Sequence, residues 1–280
     1  MSSSEVRVEH VSDTALIVAA ARARETARPD GVLRDPFAER LAGSRGMDLL
    51  RKLGAHDWLG VAVVGLRARS IDEMLLEAIA ERGIRTVVLL GAGLDARAWR
   101  LDLRRDLRWI EVDFAPILEY KEKILASEKP RCRRERISAD LTVASERQAV
   151  WAAAGSEPGL IITEGLLLYL PAHVTEALAT EPPRQSGIRH WLLDIAPSAL
   201  MRHAHQEHME EIEKVRAPDR VEGRQILELA ERHGCRQLKW HNYTREGFAL
   251  AASRGMSISQ EAIQEAAAND PSGIYLYRMP

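Results

Sequence analysis

The stretch Thr86-Val87-Val88-Leu89-Leu90-Gly91-Ala92-Gly93-Leu94-Asp95-Ala96-Arg97 constrains this chain more than any other. An apolar run rich in β-branched residues breaks into Gly-Ala-Gly and resumes as a helix-compatible segment. A buried parallel strand ends at a ligand-binding turn in this way. Glycine at 91 and 93 permits positive φ and a closer ligand approach than any Cβ allows. With Ala96 in the third place the spacing satisfies G-x-G-x-x-[G/A], and the acidic residues Glu111 and Asp113 follow about 20 positions later.

The motif alone does not separate a dinucleotide from an adenosyl cofactor. Asp95 argues between them. In the first turn of the helix after the loop, its carboxylate would repel a pyrophosphate, which normally rests on free N–H groups there. S-adenosylmethionine carries no phosphate and presents an ammonium and a sulfonium, although Arg97 and Arg100 offset part of the repulsion.

Gly91-Ala92-Gly93-Leu94-Asp95, Arg97-Ala98-Trp99-Arg100-Leu101 and Glu111-Val112-Asp113 together resemble the leucine carboxyl methyltransferase family, including its bacterial and polyketide-type O-methyltransferase branch. The resemblance continues through Arg22-Ala23-Arg24-Glu25, Asp35-Pro36-Phe37-Ala38, Arg67-Ala68-Arg69-Ser70-Ile71-Asp72, Lys121, Asp140-Leu141 and Thr163-Glu164-Gly165-Leu166-Leu167-Leu168-Tyr169-Leu170. It covers residues from about 20 to 170 and is weak beyond. It implies a doubly wound, mostly parallel α/β sheet of seven strands, one antiparallel, with an N-terminal helical cap. S-adenosylmethionine is the implied cofactor. The implied reaction is methyl transfer to oxygen, chiefly a carboxylate. A small acid is the expected acceptor, a protein C-terminal carboxylate stays open, and so does a hydroxyl.

Composition sets the outer bounds. A chain of 280 residues that is 46% hydrophobic buries a full core, and no composition break demands a division. We therefore expect one domain over 1–280, with a cap over about 1–70 and the α/β core over about 71–280. The net charge of −2 gives no reason to expect nucleic acid as a partner. Two cysteines, Cys132 and Cys235, read as free thiols of a reducing compartment. No signal-like core opens the sequence and no window approaches a membrane span, so a soluble, cytoplasmic protein without membrane contact is expected. The oligomeric state is not legible.

In chain order, Thr14 to Glu25 reads as an alanine-rich helix stopped by Pro29-Asp30-Gly31. By the resemblance, a basic residue here reaches the cofactor carboxylate; Arg24 is favoured, with Arg22 open. Residues 35–65 read as short helical pieces mixed with Gly43, Gly46, Gly54 and Gly60, an irregular cap over a site. Ser70 and Glu73 have capping-box spacing, which predicts a helix from Ser70 to a stop at Gly83. Arg67 then lies just before a helix N-terminus, where the resemblance pairs it with the cofactor carboxylate.

Trp109 to Val112 is the second strand, ending in Asp113, whose carboxylate suits the two ribose hydroxyls; Glu111 is the reserve. Arg131 to Arg136 reads as a solvated basic connection before a short third strand, Arg136 to Ala139. The resemblance directs Asp140 to the adenine amino group and Leu141 to its ring. Gly159 to Ile162 is the fourth strand, and Glu164 at its carboxyl end points into the crevice of Gly91 and Asp113.

Tyr169 is assigned to substrate positioning, with packing under the loop as the equal alternative. Pro171 opens a helix closed by Glu181-Pro182-Pro183, and His190 to Ile195, Gly223 to His233 and Ile274 to Arg278 supply a strand, a helix and a last strand. His205 and His208 share a helix face, but their charged setting speaks against metal, and none is expected. A carboxylate acceptor needs no base; a hydroxyl would call on His173. A nicotinamide oxidoreductase would share the glycine loop but lacks a Tyr-x-x-x-Lys pair here. A non-catalytic adenosylmethionine-binding protein is the third reading.

Overall fold

The computed structural model describes residues 11–52, 58–196, 216–255 and 270–280. Helices α1 (Val11–Ala27), α2 (Ala38–Lys52) and α3 (Trp58–Glu81) precede strand β1 (Thr86–Leu90). Then follow α4 (Arg97–Arg100), β2 (Arg108–Asp113), α5 (Ala115–Ile124), β3 (Arg133–Ser138), α6 (Ala144–Ala154), β4 (Gly159–Thr163), α7 (Ala172–Gln185) and β5 (Ile188–Ile195). The chain closes with α8 (Arg224–Arg232), β6 (Arg236–His241), α9 (Tyr243–Ser253) and β7 (Gly273–Arg278).

The seven strands form one sheet in the order β3-β2-β1-β4-β5-β7-β6. β1 pairs in parallel with both β2 and β4, and β7 runs antiparallel to β5 and β6. The strand order reverses between β1 and β4, so their carboxyl ends open the crevice in which such sheets bind ligands. The expected doubly wound architecture, the antiparallel strand and the N-terminal helices are all present.

β1 is buried along its whole length, as a central strand covered on both faces must be. Its side chains divide by the pleat. Val87 and Leu89 join a core shared with α1, α2 and α3, through Ala19, Leu41, Leu66 and Leu75. Val88 and Leu90 join the opposite core, with Trp151 of α6, Leu178 of α7 and Leu229 of α8. No helix among the described residues is long and apolar enough to cross a membrane.

Four local expectations are corrected. Ser70 does not start a helix: α3 runs unbroken from Trp58 through the expected cap–core boundary, and Ser70 is buried inside it. The apolar run Leu59 to Leu66 continues the helix upstream, which outweighs a local capping pattern. Pro182 and Pro183 do not close α7 but lie in its last turn, where Ser186 bonds back to the Pro182 carbonyl through both its N–H and its hydroxyl.

The third correction concerns the basic run at 131–136, which supplies most of β3 itself. Its Arg134 is buried against Glu111 and stacks over Trp99 at 4.4 Å. The last is Asp95, which precedes α4 instead of occupying its first turn. The expected stop at Gly83 is present in left-handed conformation, at φ 64°. Cys132 and Cys235 are free thiols. His205 and His208 lie outside the described residues.

Candidate functional site

The glycine turn is built by backbone geometry and by the donors it consumes. Gly91 and Gly93 take φ of 63° and 42°. A Cβ on Gly91 would lie 2.8 Å from Leu166 Cδ1, and one on Gly93 would lie 3.4 Å from Ala15 Cβ of α1. The Gly93 N–H donates to Asp113 Oδ2 at 2.7 Å, and the Phe114 N–H donates to Asp113 Oδ1 at 2.7 Å. Each carboxylate oxygen keeps a second acceptor position. Burial raises the Asp113 carboxyl above its ordinary value, against the lowering by these two N–H groups and by Lys121.

Gly91→Ala should therefore cost about 1 to 2 kcal/mol of folding free energy from the left-handed backbone alone, with further loss from crowding Leu166. Gly83, at φ 64° with nothing within 4 Å of a built Cβ, is the control. Chemical denaturation of both alanine variants checks the difference; equal losses would mean that Leu166 yields without cost.

Beside the turn lies a buried charge cluster assembled from all parts of the fold. Arg22 of α1 donates to Asp35 Oδ2 at 2.9 Å and to the Leu94 carbonyl at 2.7 Å. Arg97 donates to Asp72 Oδ1 of α3 at 2.6 Å, to Glu164 Oε2 at 2.6 Å, and also to Asp95. Arg100 donates to Asp72 Oδ1 at 2.8 Å and faces Asp35 at 3.8 Å. Arg67 donates through Nε to Glu164 Oε1 at 3.0 Å and through Nη1 to Asp194 Oδ2 at 3.4 Å. Asp194 Oδ1 accepts from the Gly165 N–H at 2.7 Å.

With every member ionised, five carboxylates against four guanidiniums leave one negative charge in this cluster. Burial would raise the Glu164 carboxyl, but Arg97 and Arg67 outweigh it and hold it at about 2. Burial and the neighbouring Glu164 raise Asp194 despite Arg67.

Several residues singled out in the sequence converge here. Gly91, Gly93 and Asp113 meet at the tips of β1 and β2, and Glu164 and Arg67 meet beyond β4. Arg67 sits inside α3, not ahead of a helix N-terminus, and is fixed there by the two acids. Arg24 is exposed, whereas Arg22 is buried, with its guanidinium engaged by Asp35 and by the Leu94 carbonyl of the glycine turn. Glu111 is sealed in an ion pair with Lys121 at 3.0 Å and Arg134 at 2.8 Å, which removes it as a reserve for ribose.

Asp140, after β3, is half-buried and accepts the Thr142 N–H and hydroxyl on Oδ1 at 2.8 and 2.7 Å; Leu141 beside it is buried. Tyr169 is half-buried in a single 3-10 turn, Leu167–Tyr169, and His173 is exposed at the start of α7. Asp194 escaped the sequence reading. The available signal was a carboxylate near the end of a buried strand, as at Asp113.

Comparison with known proteins supplies an independent view. Residues 15–181 match the family model described as leucine carboxyl methyltransferase. A Frankia alni protein is 40% identical over 176 residues, 59% of this chain and 61% of its own length. One from Streptomyces coelicolor is 41% identical over 193 residues, 62% of each chain. Both carry the name "Putative S-adenosyl-L-methionine-dependent methyltransferase". The chain spans 60% to 62% of the length of these curated relatives and of a third from Parafrankia.

Among solved structures, a DUF574 family protein from Streptomyces avermitilis superposes with a TM-score of 0.58 at 11% identity, over 94% of this chain and 97% of the other. A Thermobifida fusca protein described as a "putative methyltransferase" gives 0.57 at 14% identity, over 99% and 96%. At such identity the likeness is one of fold.

Proposed function

This chain belongs to the leucine carboxyl methyltransferase family, and from that premise we propose that it is an S-adenosylmethionine-dependent O-methyltransferase forming a methyl ester on a carboxylate of a small metabolite or natural product. The observation that carries the choice of cofactor is the state of the glycine turn. Its N–H groups at Ala92, Gly93, Asp95 and Arg97 already bond to Val112, Asp113, Ala92 and Asp95. A pyrophosphate needs such donors free at the start of a helix, and α4 is only four residues long. The adjoining charge cluster, with its surplus carboxylate, further opposes a diphosphate and suits a sulfonium.

The residues fit the adenosyl group. Asp113, with an acceptor position left on each oxygen, suits the two ribose hydroxyls. Asp140 and Leu141 suit the adenine amino group and ring, and the Nη2 of Arg67, which has no bond among the described residues, suits the methionine carboxylate. When bound, S-adenosylmethionine supplies an electrophilic methyl on sulfur. Glu164 and Asp194 supply negative potential on that side, and Ala15 of α1 packs beside Gly93.

A carboxylate acceptor is ionised at neutral pH and asks for no base. The surroundings favour that acceptor over a hydroxyl. Burial pushes the Tyr243 phenol up, out of reach of a base role, Asp194 is tied to Arg67 and Gly165, and His173 faces solvent. Tyr169 is left to position the acceptor. Isothermal titration with S-adenosylhomocysteine is expected to give a micromolar-order Kd, about −8 kcal/mol. Heat with a nicotinamide dinucleotide and none with either adenosyl compound would sink the reading.

A further inference from the structure

We infer that Lys121 is a positioning residue that holds the glycine turn in its ligand-ready shape from beneath, an inference that rests on the adenosyl reading above. Lys121 projects from α5 and is fully buried. Its ammonium donates to the Asp95 carbonyl at 3.2 Å and to the Ala92 carbonyl at 3.5 Å, and pairs with Glu111 at 3.0 Å. A buried ammonium is costly unless its donors are met, and two of these three partners are main-chain atoms of the turn.

The direction of those bonds matters for the site. The turn leaves β1 at Gly91 and reaches α4 only at Arg97, so no helical or strand ladder runs through it; the Ala92 carbonyl accepts one bond within the turn, from the Asp95 N–H at 3.0 Å. Lys121 takes two of the carbonyls on the inner side, and the Gly93 N–H between them is turned to Asp113 Oδ2 at 2.7 Å. One ammonium thus holds the Ala92–Gly93 peptide, whose N–H orients the acid proposed for ribose, and anchors the far end of the turn at Asp95. Glu111 balances the charge, and Arg134 of β3 shares its Oε2 at 2.8 Å. The charged groups acting on Asp113 are Lys121, which lowers its carboxyl, and Glu111, which raises it.

A structural role limited to balancing Glu111 and a role in shaping the turn make different predictions. Lys121→Met removes the ammonium and leaves Glu111 with Arg134 as its one cationic partner among the described residues; adding Glu111→Gln removes that half-balanced charge but does not return the ammonium to the carbonyls. Calorimetric affinity for S-adenosylhomocysteine should fall roughly tenfold in Lys121→Met, equivalent to about 1.4 kcal/mol, and stay down in the double variant while its melting temperature recovers. Recovery of both affinity and melting temperature in the double variant would overturn the inference.

Glu111→Gln alone keeps the carbonyl bonds and supplies a test that does not depend on the methionine variants folding. Loss of a negative neighbour should move the acid limb of its binding-versus-pH curve to lower pH, since Asp113 then ionises more readily. An acid limb unmoved or moved upward overturns the link between this pair and Asp113. Wild-type protein that binds no adenosyl compound would instead defeat the proposed function itself, a separate result.

Discussion

Glu164→Ala should lower folding stability by about 3 kcal/mol, because it takes a carboxylate partner from two buried guanidiniums at once, leaving Arg67 with Asp194 and Arg97 with Asp72 and Asp95. Glu164 bridges them, with Oε1 accepting from Arg67 and Oε2 from Arg97, and the Arg97 side chain is 1% exposed. Neither arginine can give up its charge, so the cost is not escaped by deprotonation. The same bridge fixes the pH dependence. Burial is outweighed by Arg97 and Arg67, which take the Glu164 carboxyl from 4.5 to about 2, so the folded state holds the carboxylate more tightly than the unfolded chain does.

A depressed acid contributes stability that is present above the unfolded pKa and is lost as pH falls toward the folded one. For Glu164 the window runs from about pH 5 to about 2, with about 3 kcal/mol at stake. Asp194 has the opposite sign. Its carboxyl is raised, chiefly by burial, so it weakens the folded state at neutral pH and relieves that strain on protonation. Urea denaturation of wild type and Glu164→Gln across this range separates them: the variant should lose its acid limb below pH 5. A limb of unchanged depth would assign the acid sensitivity to other carboxylates.

The sequence yields the frame of this site more readily than its charge partners, for a physical reason. Strand ends are written locally: a β-branched run followed by glycine, or by an acid, marks Gly91, Asp113 and Glu164 without knowledge of the rest of the chain. The partners of a buried charge are set by packing. Asp72 and Arg97 are 25 positions apart, and Arg67 and Asp194 are 127 apart, so no local pattern links them. Arg22 and Arg24 stand in the same helix and could not be separated by composition. Helical geometry turns one inward to Asp35 and Leu94 and leaves the other exposed.

The edge strand β6 went unread for a related reason. It buries almost nothing, and Leu238 and Trp240 are exposed, so it lacks the inward-facing stripe that signals a strand.

Arg67→Met should weaken S-adenosylhomocysteine binding roughly thirtyfold, about 2 kcal/mol, and also destabilise the fold by about 3 kcal/mol. The two losses have different origins. Stability falls because Asp194 loses its guanidinium partner and retains backbone donors such as the Gly165 N–H, while Glu164 still has Arg97. Affinity falls because the guanidinium edge at Nη2 is lost. That edge is left open on one side by Gly165, whose built Cβ would lie 3.8 Å from Nη2. A second substitution, Asp194→Asn, separates the causes.

The asparagine oxygen still accepts the Gly165 N–H, and no unpaired charge remains, so the double variant should regain most of the lost stability. Its affinity for S-adenosylhomocysteine should remain low, because nothing replaces the fork that meets a carboxylate, and Arg67→Lys should recover only part for the same reason. Adenosine alone lacks that carboxylate, and its affinity in the double variant should match wild type. If affinity for S-adenosylhomocysteine returned together with stability, Arg67 would serve to neutralise Glu164 and Asp194, and reading of the cofactor carboxylate would pass to another residue.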